Sequence, residues 1–392
     1  MTHQHKPMPY MALLAFAMTG FICIMTETIP AGLLPEISHD MAIPLSTAGQ
    51  WVTAYALGSL FAAIPLTIAT RTWSRRSVLV TTVLGFILFN TLTALSSDLL
   101  LTFTARFLAG ASAGLAWSLL AGYARRIVEP AQQGKAMAIA MVGTPIALSA
   151  GVPLGTWLGQ VLGWRLTFGV MSVLSVVLIA WIMLCVPNVA GQSKQVNLQF
   201  GKVLNIKGVK PVLAVVLTWM LAHNILYIYI APFVEPANLG NKVDVILMVF
   251  GLASLVGIFI TGKLIDKHLR VTVLLSLFAF CVVSLILGIF ITSPSVIVIG
   301  TAIWGLTFGG AATLLNTALA DAAGEWADIA ISLTVVSWNS AISLGGIVGG
   351  LLLHLSGVSS LPYMLVGLLF TSFLIVKLNA SYAFPRSREQ AH

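Results

Sequence analysis

Apolar stretches long enough to cross a bilayer follow one another along almost the whole chain. About 18 or more such residues in a row mark a membrane-spanning helix. The sequence offers twelve: near 10–33, 48–70, 77–96, 99–121, 136–158 and 164–186, then 211–233, 244–265, 271–292, 295–318, 328–353 and 361–379. Only 8% of the residues are charged, against roughly 25% in a soluble protein, and twelve spans leave no length for a sizeable soluble domain. The expected fold is an all-α membrane protein of twelve transmembrane helices. The first stretch is too long for a signal-peptide core and lacks a cleavage-site pattern, so it is expected to stay in the mature chain.

The second six spans repeat the first. Gly110, Gly114, Gly151 and Gly155 recur 195 residues later as Gly305, Gly309, Gly346 and Gly350, and the same shift carries Arg75 onto Arg270 and Asp40 onto Glu235. Duplicated halves in so apolar a chain are the mark of a transporter built from parallel repeats. Residues 1–186 are expected to form one six-helix bundle and residues 211–392 the other. Between them, 187–210 is the only long polar connector, with Pro187, Asn188, Gly191, Gln192, Ser193, Lys194, Gln195 and Lys202. Gly-x-x-x-Gly ladders at 110/114 and 151/155/159, and at 305/309 and 346/350, predict close helix approach. Pro145 and Pro153 each remove a backbone donor from span 5, so that helix should bend.

Placing the N-terminus in the cytoplasm puts all of the 20 lysines and arginines inside except Arg106, Arg165 and Lys242. The positive-inside rule therefore predicts two cytoplasmic termini. That bias accounts for the net charge of +8, so no nucleic-acid partner is expected. Cys23, Cys185 and Cys281 are isolated in apolar spans and offer neither a disulfide framework nor metal spacing. There is no phosphate-binding Gly-x-x-x-x-Gly-Lys-Ser/Thr loop, and no serine with a base nearby. The chain is expected to be neither an enzyme nor a cofactor protein, and to draw on an ion gradient or on its substrate's own.

Five stretches resemble one family. They are Thr26-Glu27-x-x-Pro30-x-Gly32-Leu33-Leu34-Pro35, Thr53-Ala54-Tyr55-Ala56-Leu57-Gly58, and Arg106-x-x-x-Gly110. The fourth is Gly151-Val152-Pro153-Leu154-Gly155-Thr156-x-x-Gly159 with Gly163-Trp164-Arg165-x-x-Phe168, and the fifth is Gly262-Lys263-Leu264-Ile265-Asp266-Lys267. Together they are similar to the major facilitator superfamily, within its drug/proton antiporter branch, and most to the bacterial sugar-efflux (arabinose-efflux-like) subgroup. The resemblance implies alternating access by a monomer that exchanges protons for a small molecule. It also implies a conformational latch in a Gly-x-Leu-x-Asp-Arg-x-Gly-Arg loop. The well-preserved copy follows span 8 and brings Gly262, Asp266, Lys267 and Arg270. After span 2 the glycine and aspartate have become Thr67 and Arg71, followed by Arg75 and Arg76. Arg71 cannot serve a helix N-terminus as an aspartate would, so Asp266 is left to do that work alone.

Glu27 and Arg106 are the two fully charged groups well inside spans, each roughly 10 Å below the outer edge at 1.5 Å per residue. A carboxylate in a poorly solvated cavity holds its proton more readily, and a nearby arginine opposes that. Glu27 is thus the expected proton carrier, and Arg106 its switchable partner or a structural brace. The repeat carries Glu27 onto Ala222, beside His223, so a titratable imidazole sits at the equivalent depth. Thr53, Tyr55, His223, Asn224, Tyr227, Tyr229, Asn316, Trp338 and Asn339 supply hydroxyls, amides and aromatic faces for a mixed central site. Such a set suits a sugar, and equally a nucleoside or a flat amphipathic drug such as an amphenicol. A passive uniporter, with Glu27 and Arg106 as a purely structural pair, is the remaining alternative.

Overall fold

The computed structural model describes residues 7–191 and 200–384. Lys6, Gln192, Ser193, Lys194, Gln195, Arg386 and Arg388, which entered the charge and linker arguments, lie outside them. Among the described residues every regular element is a helix. Eleven helical stretches are long and apolar enough to cross a membrane, and one of them, Gly240–Ile289, has 50 residues. A single crossing needs about 20, so this stretch holds both span 8 and span 9. Within it two helices, running together over Val243–Ile289, meet at a kink at His268 (φ −133°, ψ 30°), which divides span 8 from span 9. The sequence placed the connection at 266–270, and the kink falls inside it. Helix-favouring residues such as Lys263, Leu264, Lys267 and Leu269, with no proline, keep the turns on either side of His268 helical.

The other spans follow their sequences closely. Span 1 is Tyr10–Gly32 with Pro30 near its end, span 2 is Leu45–Ala69, and span 3 is Arg75–Leu95. Ser74 caps span 3 by accepting from the Ser77 N–H at 3.2 Å. Asp98 caps span 4 (Leu99–Arg126), accepting from Leu101 at 2.7 Å. Such caps satisfy donors that the first turn leaves unpaired. Span 5 breaks as its prolines predict: Gln133–Met141 gives way at Val142 to Gly143–Ile146, a π turn at Ala147–Gly151, and Val152–Leu162. Span 6 is Trp164–Cys185 and span 7 is Val209–Ile228, interrupted at Tyr229 before Ile230–Val234. Span 10 divides at Gly310 into Pro294–Gly309 and Ala311–Ala323, while spans 11 and 12 are Ala327–Ser356 and Leu361–Leu378.

The chain forms two compact units, Met1–Ile29 with Ala54–Gln195, and Pro30–Thr53 with Val196–His392. In the first, a Cβ on Gly110 would collide with the Tyr55 carbonyl, and one on Gly114 would press on that of Ser59. In the second, Gly305 meets the Phe250 carbonyl and Gly309 that of Ser254 in the same manner. Shifting Tyr55 and Ser59 by 195 gives Phe250 and Ser254, so the repeat extends to which carbonyl each glycine faces. Both units thus press span 4, or its copy, against span 2, or its copy, at a distance that admits no side chain.

Residues 30–53 belong with the second unit through polar bonds. Gln50 Nε2 donates to the Gly346 carbonyl at 2.8 Å and to Tyr229 Oη at 3.2 Å. The Tyr229 hydroxyl also donates to Gly346 at 2.8 Å. Gly349 and Gly350 leave room for that phenol ring.

Candidate functional site

In the first unit the charged pair is embedded in a small polar cluster. Tyr55 donates its hydroxyl to the Cys23 carbonyl at 2.9 Å, tying span 2 to span 1 one turn before Glu27. Asn90 donates to the Thr26 hydroxyl at 3.0 Å, which fixes span 3 beside the same turn. Arg106 is 0% exposed, with its guanidinium carbon 5.0 Å from the Tyr55 ring centre and 5.3 Å from that of Phe168. Two aromatic faces at this range stabilise a cation. Glu27 is partly exposed and lies within electrostatic reach of Arg106. The geometry thus brings together Glu27, Arg106 and Tyr55, three of the residues singled out from sequence.

Two members of this cluster were not singled out as site residues. Asn90 is fully buried and is the one amide of span 3, a signal readable from its position alone. Phe168 appeared only as part of a motif; its face toward Arg106 is what that motif position supplies here.

The second unit answers with an aromatic box. His223 is 7% exposed and stacks flat on Phe308, with ring centres 3.5 Å apart and planes 8° apart. Tyr227, Trp304 and Phe250 close around it at 5.2, 5.4 and 5.6 Å. His223 Nδ1 and Trp304 Nε1 are buried and meet no hydrogen-bond partner among the described residues. Phe250 is the copy of Tyr55, so the repeat itself pointed to it. Asn224 and Asn339 each turn their amide N–H onto their own helix, at Met220 (2.7 Å) and Val335 (2.9 Å). Their side-chain oxygens are left to face elsewhere. Asn316 keeps a buried Oδ1 with no partner among the described residues, Trp338 is partly exposed, and Thr53 reaches the Ser343 carbonyl at 3.5 Å. A separate cleft of about 410 Å³ in this unit is lined by Ser46, Thr47, Gln50 and His354 among others. None of the residues expected to hold substrate lines it.

At the latch positions Arg75 donates to the Arg71 carbonyl, and its own N–H bonds the Val189 carbonyl at 2.8 Å. Arg270, its copy, donates to the Ala380 carbonyl at 3.4 Å. In each unit the segment after the sixth helix is thus held by the repeated arginine position. Gly262 faces open space, and Asp266 and Lys267 are exposed just before the kink at His268. Arg76 is partly exposed on the first turn of span 3.

A family model, Major Facilitator Superfamily, matches residues 16–346. The chain belongs to this superfamily. It is a multi-pass membrane transporter, and not an enzyme. Among curated relatives, it is 27% identical over 361 residues to the purine ribonucleoside efflux pump NepI of Escherichia coli K12, covering 90% of each chain. It is 24% identical over 376 residues to a probable sugar efflux transporter of Helicobacter pylori, covering 94% of this chain and 96% of that one. A solved structure of a bacterial homologue of the human lysosomal transporter Spinster, described as inward-facing and unoccupied, superposes with a TM-score of 0.67. It covers 98% of both chains at 14% identity, which speaks to the fold.

Proposed function

We propose that this transporter is a proton-coupled efflux antiporter for sugars or similar small organic solutes. It works by alternating access, as a monomer in a bacterial inner membrane with both termini in the cytoplasm. The observation that carries the reading is Glu27: a partly exposed carboxylate inside a span, within reach of a fully buried arginine. Intramembrane carboxylates are costly to keep without a use. Arg106, held by Tyr55 and Phe168, is the fixed partner that Glu27 engages when ionised and releases when protonated. His223, Asn224, Tyr227, Asn316, Trp338, Asn339, Thr53 and Tyr55 supply the solute contacts.

A nucleoside is the second reading. The stacked His223–Phe308 pair favours flat rings, and one relative is a purine ribonucleoside pump by its printed name. The deciding experiment reconstitutes the protein in liposomes under an inward proton gradient and adds arabinose, lactose, a nucleoside and chloramphenicol in turn. Proton flux with one solute class supports antiport and names the ligand. Solute movement without proton flux makes the protein a uniporter and returns Glu27 to a structural role.

Asp266, Lys267 and Arg270, with Gly262, form the proposed latch of the second half, and Arg71, Arg75 and Arg76 that of the first. Asp266→Asn is expected to slow turnover about threefold, since one exposed charge is worth under about 1 kcal/mol. The order of preference among solutes should stay the same in competition assays. An altered order would move Asp266 out of the latch.

A further inference from the structure

We propose that Phe308 is a gate ring: it covers the face of His223 on which the ring of the transported solute stacks, and it gives way when the solute arrives. This rests on the reading of His223 as a solute contact and names the residue that controls access to it.

The cover is the least well held wall of the aromatic box. Phe308 and His223 lie with ring centres 3.5 Å apart and planes 8° apart. Aromatic pairs favour offset or edge-on arrangements, with centres about 4.5–7 Å apart, over such a face-to-face stack. The other three rings around His223 follow that preference: Tyr227 at 5.2 Å, Trp304 at 5.4 Å and Phe250 at 5.6 Å, tilted by 32°, 51° and 31°. All three are buried, whereas Phe308 is partly exposed.

Phe308 is open on one side of its helix, Pro294–Gly309. At about 100° per residue, it stands about 160° around that helix from Leu306 and about 140° from Ile303, both in its exposed apolar strip, and about 40° from Trp304. Its exposed part thus lies on the face that carries the box. The helix ends one residue later and resumes at Ala311, so no following turn of the same helix covers the ring. The backbone is closely packed there: a Cβ on Gly309 would meet the Ser254 carbonyl, and one on Gly310 the Thr261 side chain. What is left to move is the Phe308 side chain.

Two polar atoms inside the box say what belongs in it. His223 Nδ1 and Trp304 Nε1 are buried and meet no hydrogen-bond partner among the described residues. Leaving such groups unpaired is costly, and a phenyl ring can pair neither. A ring with an apolar face and a hydroxyl or ring nitrogen at its edge can. Sugars and nucleosides share this chemistry; aliphatic amines and acids lack it.

The test treats the purified full chain in detergent with diethylpyrocarbonate, which labels the imidazoles it can reach, and follows each histidine by peptide mass spectrometry. In the wild type, His223 should label far more slowly than His268 and His354, which are exposed. Phe308→Ala should raise the His223 rate at least roughly threefold, equivalent to about 0.65 kcal/mol and within the worth of an aromatic pair. The rates of His268 and His354 should not change. Phe308→Leu, which keeps bulk without a flat face, should raise the rate less, and it serves if Phe308→Ala elutes as an aggregate. Phe280→Leu is the control: it loosens Trp304, whose ring Phe280 parallels at 6.1 Å, while Phe308 stays in place, and it should label as the wild type does. Arabinose or adenosine at millimolar concentration, whichever the wild type carries in liposomes, should slow the labelling of His223 in Phe308→Ala. Wild-type labelling of His223 at the rate of His354 overturns the proposal. So does an unchanged rate in both Phe308 variants, or an equal rise in Phe280→Leu. A carried solute that leaves the labelling unslowed overturns the stacking while efflux stands. Carriage of neither solute refutes efflux of these two, and the rates of the variants still decide whether Phe308 is the cover.

Discussion

Glu27→Gln is expected to reduce pH-driven transport to the level of protein-free liposomes while solute exchange across the same membranes persists. Glutamine has the volume of glutamate and keeps a hydrogen-bonding oxygen, so the lost element is the titratable group alone. Arg106 would then stand without its carboxylate in a site that is 0% exposed, and breaking a buried pair by removing one partner typically costs about 3–5 kcal/mol. Two features temper that penalty here: Glu27 is partly exposed, and the guanidinium keeps the faces of Tyr55 and Phe168. A thermal melt of the variant in detergent therefore accompanies the flux assay. Lost coupling in a protein that still melts cooperatively and still exchanges solute supports the proton-carrier role. Unchanged pH-driven transport would sink it.

Gly110→Ala is the second large effect. Its new methyl group would drive into the Tyr55 carbonyl, which is backbone and cannot swing aside. Overpacking of this kind costs about 1–3 kcal/mol, occasionally more. Spans 2 and 4 would have to separate, taking Tyr55 away from both Cys23 and Arg106. The expected result is a clear drop in melting temperature together with loss of transport. Gly305→Ala, at the repeated position against Phe250, should behave alike. Gly122→Ala in the same helix as Gly110 is the control: a Cβ there meets nothing within 4 Å, and alanine favours helix over glycine by about 1 kcal/mol. It should melt no lower than the wild type. If all three variants melted alike, the close approach of spans 2 and 4 would not be a source of stability.

The order and extent of the spans were legible because hydropathy and length act locally, residue by residue. The bend in span 5 was legible for the same reason: a proline removes a donor wherever it stands. The repeat was legible as identity at a fixed offset, and Gly110 and Gly305 show that it carries packing as well as ancestry. Glu27 and Arg106 stood out because charge is rare in such spans, and their shared depth followed from helical rise.

What lay beyond the sequence depended on partners far along the chain. The bonds from Gln50 to Tyr229 and Gly346, which draw residues 30–53 into the second unit, join positions up to 296 residues apart. Phe308 gave no sign of its role, because one more phenylalanine in an apolar span looks like any other; only stacking on His223 distinguishes it. That the connection between spans 8 and 9 would shrink to one non-helical residue, His268, was not legible, because a family motif known as a loop outweighed residues that favour helix by themselves.

The π turn at Ala147–Gly151 carries a consequence for chain length. Such a turn holds one residue more than the α-helix around it, and one surplus residue rotates everything beyond it by about 100°. Removing a single residue there would close the bulge into ordinary α-helix and turn the face of Val152–Leu162 by that angle. Elsewhere in a span the same deletion would have to be absorbed by the loops. Span 5 is therefore the place where a one-codon deletion acts as a rotation of half a helix rather than as a break in it, and where the glycine face toward Phe21 and Met25 would be lost first.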